Sequence, residues 1–212
     1  MKVFMDRILL VAFLFANVLA SAQFSFGPKA GLVLSTLEIG GSVPIEPENK
    51  FSYAVGGFSE YKFSEFSISL DLSYGEYGSK GSTTYYTNEL NVSNPDINVK
   101  EKMFLIDLAA NYYFTDFLSL GGGVYYGSIN AVEYDVSGHE KMDVSDKYSK
   151  IDLGFVFKVN YVIYKGLFAE FKYNFGLNII KQNTIDTAPN VVVEHDEVKN
   201  RILTISLGYK FR

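Results

Sequence analysis

Residues 66–77 read FSISLDLSYGEY, and the fold turns on what Asp71 is doing among them. Phe66, Ile68, Leu70, Leu72 and Tyr74 fall on one parity; Ser67, Ser69, Asp71, Ser73 and Gly75 fall on the other. Successive side chains of a strand point to opposite faces, so this is a strand with one greasy face and one small, polar face. A sheet over a soluble core and a barrel wall in lipid share that pattern. They differ in which face is wet.

The same period of two runs through most of the chain, and past the first twenty-odd residues no segment keeps a 3.6-residue apolar period. Strands are expected at 24–35, 51–63, 66–77, 102–114, 118–129, 149–161, 167–178 and 201–211. Each is long enough for a tilted membrane crossing, which takes about 9–11 residues. Ser64-Glu65, Thr115-Asp116 and Tyr164-Lys165-Gly166 make tight links after the second, fourth and sixth strands. Residues 36–50, 78–101, 130–148 and 179–200 are long and polar, rich in the Gly, Ser, Asn, Asp and Pro that turns use. Short turns on one rim and long loops on the other describe an outer-membrane barrel with periplasmic turns and extracellular loops.

The greasy parity continues in Ile106, Leu108 and Tyr112, in Leu153, Phe155 and Phe157, in Phe171, Tyr173 and Phe175, and in Ile205, Leu207 and Tyr209. An eight-stranded barrel is just wide enough inside for filling side chains or one small ligand. So many large residues on one face must therefore look outward into lipid. The opposite parity carries Asp71, Asp107, Asp152, Lys158, Glu170 and Lys172, which are expected to form a polar network bracing the lumen. Asp71 pairs there with a lysine such as Lys158 or Lys172, since a carboxylate away from bulk water and without a partner is costly. On this assignment an arginine at Leu70 disturbs the barrel more than one at Ser69. A soluble, lipocalin-like barrel with a greasy cavity reverses that ranking.

Aromatic residues give an independent check. Tyr61, Phe63, Tyr112, Phe114, Tyr161, Tyr209 and Phe211 are the last outward residues of the even strands, and Tyr74, Tyr126 and Phe175 lie toward the other rim. Aromatic girdles at both interfaces mark membrane barrels.

The N-terminus reads as a targeting segment: Lys2 and Arg7 are basic, residues 8–19 (ILLVAFLFANVL) are apolar, and Ala20-Ser21-Ala22 precedes Gln23 as an A-x-A cleavage site. The expected domains are a signal peptide at 1–22 and a barrel at 23–212, with cleavage between Ala22 and Gln23. Removing Lys2, Arg7 and Asp6 takes the 19 basic and 24 acidic residues to 17 and 23, a net charge of −6. A chain so charged, with no basic patch, is a poor partner for nucleic acid. It has no cysteine, hence neither disulfides nor a lipid-attachment cysteine.

Catalytic and ligand-binding signals are few. His139 and His195 fall in expected loops, and no G-x-S-x-G motif accompanies them, so a lipid-modifying enzyme is the weaker reading and no catalytic residue is assigned. Glu194-His195-Asp196-Glu197 is acidic but lacks the glycine and ligand spacing of a calcium loop. No metal site and no cofactor are expected. Asp186-Thr187-Ala188 has the form of a short O-glycosylation sequon. Gly121-Gly122-Gly123 sits inside a strand and opens no helix, so it is no phosphate cradle; it is expected to make room for a bulky neighbour such as Tyr125.

QFSFGPKAGLVLS at 23–35, FSISLDLSYGEY, LSLGGGVYYG at 118–127 and ILTISLGYKFR at 202–212 together resemble the PorT-like outer-membrane β-barrel proteins of Bacteroidota. The resemblance covers the whole chain after residue 22. It implies an all-β, eight-stranded antiparallel up-and-down barrel in the outer membrane, surrounded by its lipid and inserted by the barrel-assembly machinery. That machinery reads a C-terminal strand ending in aromatics, here Tyr209 and Phe211, although Arg212 follows where a terminal aromatic is usual. It also implies a link to protein secretion or cell-surface assembly. The expected function is a structural or binding scaffold that meets a protein partner through its extracellular loops. A small channel is the alternative.

Overall fold

The computed structural model describes residues 23–40, 45–83, 96–136, 141–178, 180–182 and 197–211. Residues 1–22, including Ala22, lie outside that range; Gln23 is within it. Eight long strands carry the fold: β1 (Phe24–Gly40), β2 (Lys50–Phe63), β3 (Phe66–Thr83), β4 (Asp96–Tyr113), β5 (Leu118–Val136), β6 (Ile151–Tyr164), β7 (Leu167–Gly176) and β8 (Glu197–Tyr209). Each pairs antiparallel with the next, and β8 returns to β1, with Lys29 opposite Gly208 and Gly40 opposite Glu197. The sheet is closed and has no free edge around its circumference. The expected all-β, eight-stranded antiparallel barrel is what forms.

The turn rim is built from very short links. Ser64-Glu65 and Lys165-Gly166 are the tightest. Ser64 (φ 61°), Lys165 (φ 38°) and Gly166 (φ 91°) take the left-handed backbone that lets a two-residue hairpin follow the strand twist. At the other rim the strands run further than the alternation suggests. β3 reaches Thr83, β4 starts at Asp96 and β5 ends at Val136, so much of what reads as loop at 78–101 and 130–148 is ladder. Ile45–Glu48 pairs with the end of β3, Met142–Asp143 with β5 and Lys181–Gln182 with β8.

The outward face explains those extra lengths. From the turn rim upward it is apolar and exposed: Phe66, Ile68, Leu70, Leu72 and Tyr74 on β3; Tyr112 and Leu108 on β4; Phe155 and Phe157 on β6; Ile205, Leu207 and Tyr209 on β8. Beyond Tyr74, Phe104 and Tyr126 the same face becomes charged. Lys102 pairs with Glu133 at 3.1 Å, Lys100 with Asp135 at 3.3 Å, and Arg201 with Glu38.

The inward face switches in the opposite sense at the same height. Toward the turn rim it is polar. Toward the loop rim Val33, Leu37, Tyr77, Val99, Met103, Leu105, Tyr125, Ile129, Val132, Tyr148, Ile180 and Ile202 pack into the buried apolar cluster of the molecule. A bulge sits near the crossover on β5: Met103 pairs with Ile129 but Lys102 with Ala131, so Asn130 is an extra residue. The extra residue turns the strand by one face and lets both Ile129 and Val132 point inward. The polar lining thus occupies the turn-side half only; beyond the apolar belt, where the outer surface meets water, the barrel is packed like a soluble protein.

Candidate functional site

The turn-side lumen is a ladder of charges held by inward positions of β1, β2, β3, β4, β6 and β7, with Lys210 just past the end of β8. Nearest the turn rim, Lys210 Nζ donates to Glu60 Oε2 at 2.5 Å, Tyr113 Oη donates to Glu60 Oε1 at 2.5 Å, and Ser67 Oγ donates to the same oxygen at 2.6 Å. Lys62 Nζ stands 3.9 Å from the centre of the Tyr113 ring. Glu60, Lys62, Tyr113 and Lys210 border a vestibule of about 470 Å³ at the turn rim. Just inside, Phe58 and Phe168 meet edge to face at 5.0 Å, with Phe168 filling the space over Gly208, where a Cβ would lie 2.4 Å from Cζ.

Asp71 lies above that pair, buried, on the inward side of β3. Lys158 Nζ on β6 approaches it at 2.9 Å and Lys29 Nζ on β1 at 3.3 Å. Lys29 also meets Glu170 at 2.8 Å, and Lys158 donates to Ser69 Oγ at 2.6 Å. One rung higher, Lys172 donates to Asp107 at 2.5 Å and Asn174 Nδ2 to the other oxygen of the same carboxylate at 2.9 Å. Three lysines and three carboxylates thus neutralise one another in a space closed to bulk water. The arrangement answers the desolvation cost that any one of these charges would carry alone.

The six residues singled out from the sequence are distributed as follows. Asp71, Lys158 and Glu170 share one cluster, Asp107 and Lys172 pair in the next, and Asp152 stands apart near the apolar half, where Tyr125 Oη (2.9 Å) and Asn200 Nδ2 (3.0 Å) donate to it. Asp71 is served by Lys158 but not bonded to Lys172. The second cation is Lys29, which sequence reading missed because its partner strands close the barrel only in three dimensions. The signal was present: Lys29 shares inward parity with Ser25 and Gly27 in β1.

Gly121 faces Asn111 and Lys158, and Gly123 faces the backbone of Leu108, so neither accommodates Tyr125. The Tyr125 ring instead lies over Gly154 and Gly176, where added Cβ atoms would be 2.5 Å from its Cε1 and 3.0 Å from its Oη. His139, His195, residues 186–188 and residues 194–197, apart from the strand residue Glu197, lie outside the described residues.

Tyr61, Phe63, Tyr112, Phe114, Tyr161, Tyr209 and Phe211 are all exposed at the turn-side end of the wall. Tyr61–Phe63, Phe63–Phe66, Phe66–Tyr112 and Tyr112–Phe114 are successive ring contacts of 4.9–6.5 Å along it. Tyr74, Tyr126 and Phe175 mark the upper margin of the apolar belt, although the strands continue past them.

A closed barrel with an apolar wall between two aromatic margins and ion pairs inside defines a membrane β-barrel. Residues 8–211 match the outer membrane protein beta-barrel domain, and the chain belongs to that family; it resides in the cell outer membrane. Among solved structures it is similar to Ail, the attachment invasion locus protein of Yersinia pestis (11% identity, 89% of this chain and 99% of that one, TM-score 0.46). It is also similar to OprG from Pseudomonas aeruginosa (14%, 89% and 96%, 0.48) and to Neisserial surface protein A (14%, 88% and 97%, 0.44). No match was found among curated proteins.

Proposed function

We propose that the protein is a scaffold whose loop rim faces the outside of the cell and holds a protein partner there. The observation that carries this reading is the filled lumen. Ion pairs occupy its turn-side half and an apolar cluster its loop-side half, so the buried interior is organised for rigidity rather than passage. The extensions of β3, β4 and β5 past the apolar belt provide a stiff mount for the loops, the usual place for recognition on a rigid scaffold. The PorT-like resemblance of the sequence directs the search for the partner toward secretion or surface-assembly proteins, with insertion through the barrel-assembly machinery and Tyr209 and Phe211 as its signal.

The small-channel reading is disfavoured by the same packing. Affinity capture of a tagged protein from its own outer membrane, together with single-channel recording of the purified barrel, separates the two. A reproducible stoichiometric protein partner with an electrically silent barrel supports the scaffold. Steady conductance altered by Asp71→Asn or Lys158→Ala replaces it with a pore. Lipid turnover lost in His139→Ala or His195→Ala replaces both with an enzyme.

A further inference from the structure

We propose that the outer wall at the closing seam binds one anionic phospholipid, with a chain in a hollow of the apolar belt and the phosphate at Lys165. The hollow measures about 470 Å³, and the outward side chains that line it are Pro28 and Ala30 of β1, Val55 of β2, Leu167 of β7, and Leu207 and Tyr209 of β8. It exists because short side chains meet there. Pro28 stands opposite Gly57, and Ala30 sits between Val55 and Leu207 in the ladder. The same face of β3 carries Ile68, Leu70 and Leu72, all exposed and large. Hydrocarbon surrounds this wall, and atoms that border a void lose their dispersion contacts, so an alkyl chain seated in the hollow packs better than one passing over it.

The hollow also lies where the ring lacks a bond. Phe26 and Phe211 exchange both backbone hydrogen bonds, at 3.1 and 2.8 Å. Such pairs recur at every second residue of an antiparallel ladder, which makes Pro28 and Tyr209 the next one. Pro28 has no N–H to give. The continuous β1–β8 ladder accordingly begins only at Lys29 opposite Gly208. A chain lying against Pro28, Leu207 and Tyr209 touches both strands at that gap and supplies by packing what the seam lacks in hydrogen bonding.

Charge selects the head group. Lys165 is two residues from Leu167, in the tight link between β6 and β7, and its ammonium stands 5.1 Å from the centre of the Tyr164 ring. It makes no ion pair among the described residues. Tyr209 joins this link to the hollow: a Cβ on Gly166 would lie 3.5 Å from Tyr209 Cζ. The turn-rim acid nearest in the ring order, Glu65, accepts the Tyr112 hydroxyl on β4 and so leans away from the seam. A lysine at the headgroup level beside an apolar hollow fits a lipid that carries a net negative charge.

The test places the full barrel in nanodiscs of phosphatidylcholine with a minor share of phosphatidylglycerol, then transfers it to mild detergent for native mass spectrometry. One retained lipid per barrel is expected, with phosphatidylglycerol enriched about fivefold over its share, as one lysine at a headgroup allows. Ala30→Leu, a change on the lipid-exposed face, fills the hollow and abolishes retention. Lys165→Asn, which suits the left-handed backbone at that position (φ 38°), keeps the lipid and loses the preference for phosphatidylglycerol. Should Ala30→Leu fail to fold, the wild-type lipid preference and Lys165→Asn still decide. No retained lipid, equal retention by a folded Ala30→Leu barrel, equal uptake of the two lipids by the wild type, or a preference that survives Lys165→Asn overturns the proposal. A dimer that Ala30→Leu dissociates gives the hollow to a second copy of the chain and equally overturns it.

Discussion

Asp71 and Lys158 are 87 residues apart and on strands that are not neighbours, yet their side chains meet at 2.9 Å across the lumen. Their contact crosses the barrel rather than following its wall. With the neighbouring pairs it works as an internal strut. Replacing one member of a buried pair is expected to cost about 3–5 kcal/mol, because the other charge stays buried. Asp71 keeps Lys29 when Lys158 is lost, whereas Asp107 keeps only the Asn174 amide when Lys172 is lost. Lys172→Met is therefore expected to be the more damaging of the two substitutions, read as urea unfolding midpoints from lipid vesicles. The reverse order would show that the two clusters share their charge.

Depth in the membrane sets a second ranking. Leu70 and Tyr74 both point outward from β3, the first near the middle of the apolar belt and the second at its upper margin. Leu70→Arg is expected to cost about 2–4 kcal/mol and Tyr74→Arg only about 0–1 kcal/mol for the arginine itself, as the charge moves from the midplane to the interface. Equal losses in vesicle unfolding would place the bilayer elsewhere on the wall. Ser69 is no longer the gentle comparison that parity suggested: Lys158 and Asn111 already bond its hydroxyl, so an arginine there meets both crowding and like charge.

Glycines near Tyr125 predict a third ordering. A Cβ at Gly154 would lie 2.1 Å from the carbonyl oxygen of Phe175, which belongs to the barrel ladder and has little room to move. At Gly127 the closest atom, at 2.6 Å, is the sulfur of Met103, the movable end of a flexible side chain. Gly154→Ala is expected to lose about 1–3 kcal/mol through overpacking, and Gly127→Ala less than that. Thermal unfolding in detergent distinguishes them, and a harmless Gly154→Ala would show that the wall yields there.

Outside the wall, Asp143 gives a pH prediction. Its carboxylate accepts hydrogen bonds from the Ser145 hydroxyl at 2.5 Å and from the Ser145 amide at 2.9 Å, which lowers its pKa below the ordinary aspartate value. A depressed folded-state pKa means that this local stabilisation is complete above the unfolded value and is lost as pH falls through the folded one. Amide exchange at Ser145 should stay protected as pH falls to the ordinary carboxylate range and open only below it. Asp143→Ala should remove the protection at every pH.

The barrel itself was legible because lipid imposes a strict alternation on β3, β6 and β8, and because tight turns cannot be mistaken for long loops. The apolar cluster was not legible from the same rule. In residues 99–106 large apolar side chains occur on both parities, Val99, Met103 and Leu105 on one and Phe104 and Ile106 on the other, while Lys100 and Lys102 share the outward one. A strand crossing from lipid to water exchanges its greasy face for its polar face, and a fixed-parity reading stops the strand at Lys102 and leaves 96–101 as loop. The bulge at Asn130 hides the change further by shifting the phase of β5. Lys29 escaped notice for another reason: alternation says that it points inward but not whom it meets, and that is decided by register around a closed ring.

The exchange of faces gives the molecule a direction of travel. Its lower half has a surface that only lipid tolerates, and its upper half has a charged surface that lipid excludes, so once the ring closes neither half can take the place of the other. Sliding the finished barrel along the membrane normal would drag Lys100, Lys102, Glu133 and Asp135 into hydrocarbon. The protein is in this respect a rivet whose head forms after the shank is through, and it leaves the membrane only by coming apart first.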